Sequence, residues 1–280
     1  MKLRIALVVI VLGSLAAIYV AQHRQAHASV GPDAIVHLIA DTEHELSRVP
    51  AQATRMSDSE EIAIGNEIVR DHSWMTEQSP NNSPMAQYVQ RVGLSVAGRA
   101  HRKLPYKIHY IEDDGLVNAF AIPGGHVFIG SGLVRVMDTE DELAAVLGHE
   151  IEHIDHYHCA ERYQLEAQLR HLQLGDLAGI AQLPLEIFQA GYTKDQELEA
   201  DREGTRLAVM AGYSPLGAVR LFEAFDRMEQ HRNDPAATPQ EEALRVALGT
   251  LSGYFQSHPF AAERAEQIRR MIVSEHWEAK

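Results

Sequence analysis

Residues 149–153 read His-Glu-Ile-Glu-His, two imidazoles and a carboxylate at a spacing that serves a metal only on a helix. At about 100° per residue, four positions bring His153 back to within about 40° of His149, so both rings leave one face. Two imidazoles one turn apart suit tetrahedral zinc, and Glu150 then projects toward the open side, where an attacking water would sit. The pentapeptide alone is weak: with 16 His in 280 residues, chance supplies it in about one such chain in twelve. The element that must carry it is nonetheless readable. Thr139-x-x-Glu142 has the form of a capping box, and Leu143, Val146, Leu147 and Ile154 repeat at helical period.

A second predicted helix strengthens the case. It opens on another capping box, Thr193-x-x-Gln196, and continues Glu197-Leu-Glu-Ala-Asp201. A catalytic zinc with two His takes one more protein ligand and leaves a position for water; Glu197 is the candidate. Asp201, one turn on, can accept a hydrogen bond from a ligating His and fix its tautomer. Glu199 and Glu203 are the local rivals, expected on a solvated face. His156 and His158 are expected on the surface of the motif helix, because helical rotation carries them off the metal face. Cys159, the single cysteine, excludes an intrachain disulfide framework and is expected to be a small buried residue.

The rest of the chain must fold around these two helices. Its 45% hydrophobic and 23% charged content is that of a globular protein. With 25 Lys and Arg against 39 Asp and Glu, the net charge of −14 excludes nucleic acid as a natural partner. Lys2 and Arg4 precede an uncharged stretch at 5–21, and Ala26-His27-Ala28 offers a small-x-small cleavage site. Residues 1–28 are therefore expected to be a signal peptide or an N-terminal membrane anchor, with the remainder exported. Residues 29–56 are expected to be a linker, and 57–280 the folded domain. Helices are expected over 57–71, behind Ser57-x-x-Glu60, and over 85–100. Strands are expected at 106–111, 117–121 and 126–129, with Gly124 and Gly125 serving turn geometry. Beyond Thr139 the pattern is almost continuous helix, broken near Leu183-Pro184, Gly191, Gly212 to Pro215, and Asp234-Pro235. The fold class is α+β, mainly helical with a small β-sheet.

Four features in order, Asn118 to Gly125, His149 to His158, Glu197 to Asp201, and Ser257-His258-Pro259 followed by Arg264, resemble the zinc peptidase family that contains HtpX and the CAAX prenyl endopeptidases. The small periplasmic BepA/LoiP-like branch is most similar, over about residues 57–275. The resemblance implies a zincin-like domain, an endopeptidase activity and one zinc per chain, held by His149, His153 and Glu197. Glu150 is then the catalytic base. It implies a substrate-binding edge strand at Asn118, Ala119, Phe120 and Ala121, and protein substrates, misfolded envelope proteins above all. It places His258 near the metal in one of two roles. As a hydrogen-bond donor, with Tyr254 the other candidate, it would steady the oxyanion; as a neutral imidazole it would fill the fourth zinc position and keep the enzyme latent. The donor role is the first reading, because few other donors are available. The chain departs from the family in lacking tetratricopeptide repeats after Arg264, in having one apolar segment, and in a short stretch between His153 and Glu197. Two other readings compete: an exported metal-binding protein without catalysis, and a chaperone-like protein with a decayed site. Neither needs Glu150 together with Glu197 and Asp201.

Overall fold

The computed structural model describes residues 55–72, 83–174, 192–231, 258 and 261–277, all within the unit Ser47–Lys280. The expected signal or anchor segment, most of the linker, Tyr254, Pro259 and the breaks at Leu183, Gly191 and Asp234 lie outside them. Among the described residues no helix is long and apolar enough to cross a membrane.

Helix α1, Asp58–Asp71, opens on the expected capping box: Glu60 N donates to Ser57 Oγ at 3.3 Å, and Ser57 N to the Glu60 carboxylate at 2.8 Å. Helix α2, Pro84–Ala97, starts with Ser83 as cap and proline in its first turn, and buries Ala86, Val89, Val92 and Val96 at helical spacing. Three short strands follow, β1 (Lys107–Ile111), β2 (Ala119–Ile122) and β3 (His126–Gly130), in the order β1-β3-β2. β1 runs parallel to β3 and β2 antiparallel, so β2 is an edge strand among the described elements. The turn from β2 to β3 needs its glycines, since Gly124 and Gly125 have φ of 84° and 97°. A one-turn helix α3 (Ser131–Val134) leads to α4 (Glu140–Asp155). The remaining elements are helical: α5 (His158–Leu174), α6 (Lys194–Met210), α7 (Leu216–His231) and α8 (Ala261–Ser274). The α+β class expected from the sequence, helix-dominated with a small sheet, is the class observed.

Helix α4 is the centre of the core. Every residue from Glu142 to Asp155 is buried, against α2 and the sheet on one side and α6 and α7 on the other. Its cap differs from the expected box. Glu142 N donates to Thr139 Oγ1, but the Glu142 carboxylate accepts from Asp138 N rather than from Thr139 N. Its other end also departs from the sequence reading, which runs helix through to His158. The chain turns after Asp155 because Tyr157 adopts φ 65°, an uncommon state for a large side chain. The Tyr157 ring lies between Arg55 and Arg102, 3.9 and 3.8 Å from its centroid, and Asp155 accepts from the backbone N–H groups of His101 and Arg102. No Gly or Pro marks this corner, so no composition signal announces it.

Helices α4 and α6 touch backbone to backbone through Gly148 and Gly204. A Cβ at Gly148 would sit 2.5 Å from the Gly204 carbonyl oxygen, and one at Gly204 2.7 Å from Gly148 backbone atoms and from His149 N. Any side chain here would push apart the helices that carry the two halves of the motif. Gly204→Ala is expected to cost about 1–3 kcal/mol in urea unfolding. Gly98→Ala, where the nearest atom is the Leu94 carbonyl at 3.4 Å, is expected to stay within about 0.5 kcal/mol.

Candidate active site

The close crossing of α4 and α6 brings all four principal residues into one buried cluster. His149, His153, Glu197 and His258 each present a ligand atom within 4.8 Å of the others. His149 Nε2 lies 3.1 Å from His153 Nε2 and 3.4 Å from Glu197 Oε2, and His153 Nε2 lies 3.6 Å from Glu197 Oε1. The corners of a tetrahedron with metal–ligand bonds of about 2.0–2.2 Å are about 3.3–3.6 Å apart. The two His–Glu separations fall in that range, one to each Glu197 oxygen, and the His–His separation is slightly shorter, so the three side chains stand close to the spacing of a tetrahedral donor set.

Charge makes the same point. Glu150, Glu197 and Asp201 are buried, and Arg264 is the buried cation among them. With the carboxylates ionised and the imidazoles neutral, the sum is −3 + 1 = −2, which a divalent cation cancels. Neither Glu150 oxygen makes a hydrogen bond among the described residues, and burial raises its pKa above the usual carboxylate range. Burial works against ionised Glu197 too, but His258, His149 and Arg264 outweigh it and hold its pKa well down. His149 is likewise opposed by burial, yet Asp201 and Glu197 raise its pKa to about 9.

Each of the two candidate ligand imidazoles, His149 and His153, is held from behind. His149 Nδ1 donates to Asp201 Oδ1 at 2.9 Å, the arrangement expected from the sequence, which leaves Nε2 facing the cluster. Arg264, quoted in the sequence only as part of a motif, donates from Nε and Nη2 to the two Asp201 oxygens at 2.6 and 2.7 Å, and from Nη1 to the His258 carbonyl at 3.0 Å. One guanidinium thus fixes the carboxylate behind His149 and the backbone that carries His258. His153 stacks on Tyr192, ring centroids 3.8 Å apart, and its Nδ1 meets Nδ1 of His158 at 2.9 Å.

That contact corrects the sequence reading. His158 is buried, not on the surface; a continued helix would point it about 140° away from His153, and the Tyr157 turn brings it back. His156 is half-buried, with Nε2 2.9 Å from the Glu152 carboxylate. Glu199, expected on a solvated face, is half-buried and faces both rings. Glu203, expected on the same solvated face, is half-buried too, and is paired with Arg202 and Arg206. Cys159 is buried, and burial pushes its thiol pKa up while it contacts the Tyr192 hydroxyl. His258 is buried in the cluster: Nδ1 is 3.1 Å from His149 Nε2 and from both Glu197 oxygens, and Nε2 is 3.3 Å from Glu150.

The strand segment takes its place beside this cluster. β2 packs on α4, and Asn118 O accepts from Gly130 N, which makes Asn118 and Gly130 a hydrogen-bonded pair of the antiparallel ladder. By alternation Phe120 pairs with Phe128, while the main-chain groups of Ala119 and Ala121 turn away from β3, on a strand that is buried throughout. The Asn118 side chain accepts from Ala119 N.

A helical domain with a small sheet and a buried His, His, Glu cluster is of the zincin-like class. Residues 83–272 match Peptidase family M48. That is about two thirds of the chain, and the protein belongs to this family of metalloproteases. Similar proteins include Metalloprotease LoiP of Escherichia coli K12, 25% identical over 78% of this chain and 82% of its own, and Metalloprotease YcaL of the same strain, 28% identical over 80% and 84%. The Beta-barrel assembly-enhancing protease of Yersinia pestis is 29% identical over 78% of this chain but 49% of its own, so this chain spans about half of that relative. The BepA/LoiP-like affinity read from the sequence agrees with these matches.

Asp201→Asn keeps the shape of the residue behind His149 but removes its charge. It is expected to weaken metal binding by about 10–100-fold, read by competition with a chelator of known affinity.

Proposed function

We propose that this metalloprotease is a zinc-dependent endopeptidase, with His149, His153 and Glu197 holding one zinc per chain and Glu150 acting as general base. The observation that carries the reading is the near-tetrahedral spacing of three buried donors beside a buried carboxylate that makes no hydrogen bond among the described residues. Zinc at such a site polarises the scissile carbonyl and lowers the pKa of its water toward about 7. Glu150, its proton affinity raised by burial, is suited to take a proton from the attacking water and return it to the leaving amine. The side of β2 that faces away from β3, at Ala119 and Ala121, would receive an extended peptide main chain to main chain once what covers it and the Asn118 side chain on Ala119 N give way, with Asn118 and Phe120 holding the strand to β3.

The substrate class we propose is misfolded envelope protein, in keeping with relatives named for β-barrel assembly. The catalytic unit is then exported, either freed by cleavage after Ala28 or tethered through residues 5–21. A mature chain beginning at Ser29, or an intact one in the membrane fraction, is the expected result of N-terminal sequencing; full-length protein in the soluble cytoplasm contradicts both.

For His258 the geometry favours the second of its two roles. Its Nδ1 is 3.1 Å from His149 Nε2 and from Glu197, the place of a fourth donor, rather than beyond the cluster where an oxyanion would develop. This supports a latent state in which His258 must leave before substrate enters. His258→Ala is then expected to raise basal cleavage with zinc retained; a lowered rate restores the donor role.

A non-catalytic metal-binding or chaperone-like protein is separated from this reading by Glu150→Gln. The variant is expected to keep its zinc and lose casein cleavage by about 10² or more. Cleavage at the wild-type rate defeats the proposal.

A further inference from the structure

We infer that Tyr192 is a positioning residue for the metal, its ring steadying His153 more strongly when that imidazole holds a divalent cation than when it is free. The inference rests on the proposed zinc at His149, His153 and Glu197. Tyr192 is buried and stacks on His153 with ring centroids 3.8 Å apart and planes 16° from parallel. Its hydroxyl contacts Cys159 Sγ at 3.2 Å, which ties the ring to the first turn of α5. The residue after it, Thr193, is the N-cap of α6. Tyr192 thus holds the entry to the helix that carries Glu197 against the helix that carries His153.

The geometry of the stack points to the metal. Two electron-rich rings settle edge-to-face or offset, with centroids about 4.5–7 Å apart, because their negative faces repel. Other rings around His153 keep to that range: His149 meets it edge-on at 4.7 Å, and His158 and His258 lie tilted at 5.1 and 5.8 Å. Tyr192 is closer than any of these and nearly parallel. Such an approach becomes favourable when one of the two rings is electron-poor. An imidazole that has given its Nε2 lone pair to a divalent cation is such a ring, and the face of a phenol attracts it as it attracts a cation. In a buried site little water screens that attraction.

What stands behind each imidazole explains why His153 needs this support. His149 rests its Nδ1 on the Asp201 carboxylate, a negative charge that favours a metal-bound ring. The Nδ1 of His153 meets another imidazole, that of His158 at 2.9 Å, which is a weaker counterpart than a carboxylate. The face of Tyr192 supplies electron density that the neighbour of His153 does not. Its competitor is Arg162, whose guanidinium carbon lies 5.0 Å from the Tyr192 centroid. The imidazole, at 3.8 Å, is the closer claimant. A ring that only filled space would stabilise the metal-free and the loaded protein alike; a ring that answers the metal changes zinc affinity.

The test is zinc affinity, read by competition with a chelator of known affinity, in the wild type, in Tyr192→Phe, and in chains with trifluorinated or pentafluorinated phenylalanine at position 192. Fluorine withdraws electrons from the ring face at nearly constant shape, so the series separates electronic support from packing. Tyr192→Phe loses only the hydroxyl and is expected to bind zinc within about threefold of the wild type. The pentafluorinated chain is expected to bind about tenfold more weakly than Tyr192→Phe, with the trifluorinated chain between them. The rise in melting temperature on adding zinc is expected to shrink in the same order. Equal affinity across the fluorinated series, or a loss already complete in Tyr192→Phe, overturns the inference and leaves the proposed function standing. If His153→Ala, measured beside them, binds zinc as tightly as the wild type, the ligand reading itself falls and the inference goes with it.

Discussion

Two glycines decide whether this protein has a site at all. The proposed donor set is divided between two helices: α4 supplies the imidazoles, and α6 the carboxylates. Glu197 and Asp201 have short reach, so the helices must approach until their backbones touch. Gly148 and Gly204 permit that, each occupying space where the other helix's carbonyl would strike a Cβ. The contact lies one residue before His149 and three after Asp201, so the close point of the crossing is also the point at which the donors meet. Ordinary helix pairs are about 8–10 Å apart, and side chains at the crossing point would hold these two off.

The charges held at that crossing explain the elements around it. With the carboxylates ionised and the imidazoles neutral, as a metal would require, three buried carboxylates and one guanidinium leave a deficit of two positive charges. Arg264 on α8 meets part of it, and by bonding Asp201 and the His258 carbonyl it ties the C-terminal helix to the same centre. A divalent cation at the proposed site would meet the rest. On the proposed ligation the site would also be a stability element: the metal would join α4 to α6, as Arg264 joins α6 to α8.

Much of this was legible in the sequence because it is local. The capping boxes at Ser57 and Thr193, the face shared by His149 and His153, and the Glu197–Asp201 spacing are all set within one or two helical turns. The three strands fell within two residues of their expected ends. What the sequence concealed is what distant residues impose. Tyr157 takes a left-handed conformation because Arg55 and Arg102 hold its ring and Asp155 caps the backbone of residues 101 and 102. No pattern around residue 157 signals this, so His158 and Glu199 read as surface residues although they stand behind His153. Gly148 could have been suspected, since a glycine inside a buried helix costs stability unless something approaches closely. Its partner, 56 positions away, could not.

The central claim, that the α4–α6 crossing creates a tetrahedral metal site from His149, His153 and Glu197, is tested most directly by anomalous X-ray scattering from crystals of the metal-loaded protein at the zinc edge. The account predicts one dominant peak about 2.0–2.2 Å from His149 Nε2, His153 Nε2 and a Glu197 oxygen. A dominant peak away from those atoms, or a fully loaded protein with none there, would contradict it.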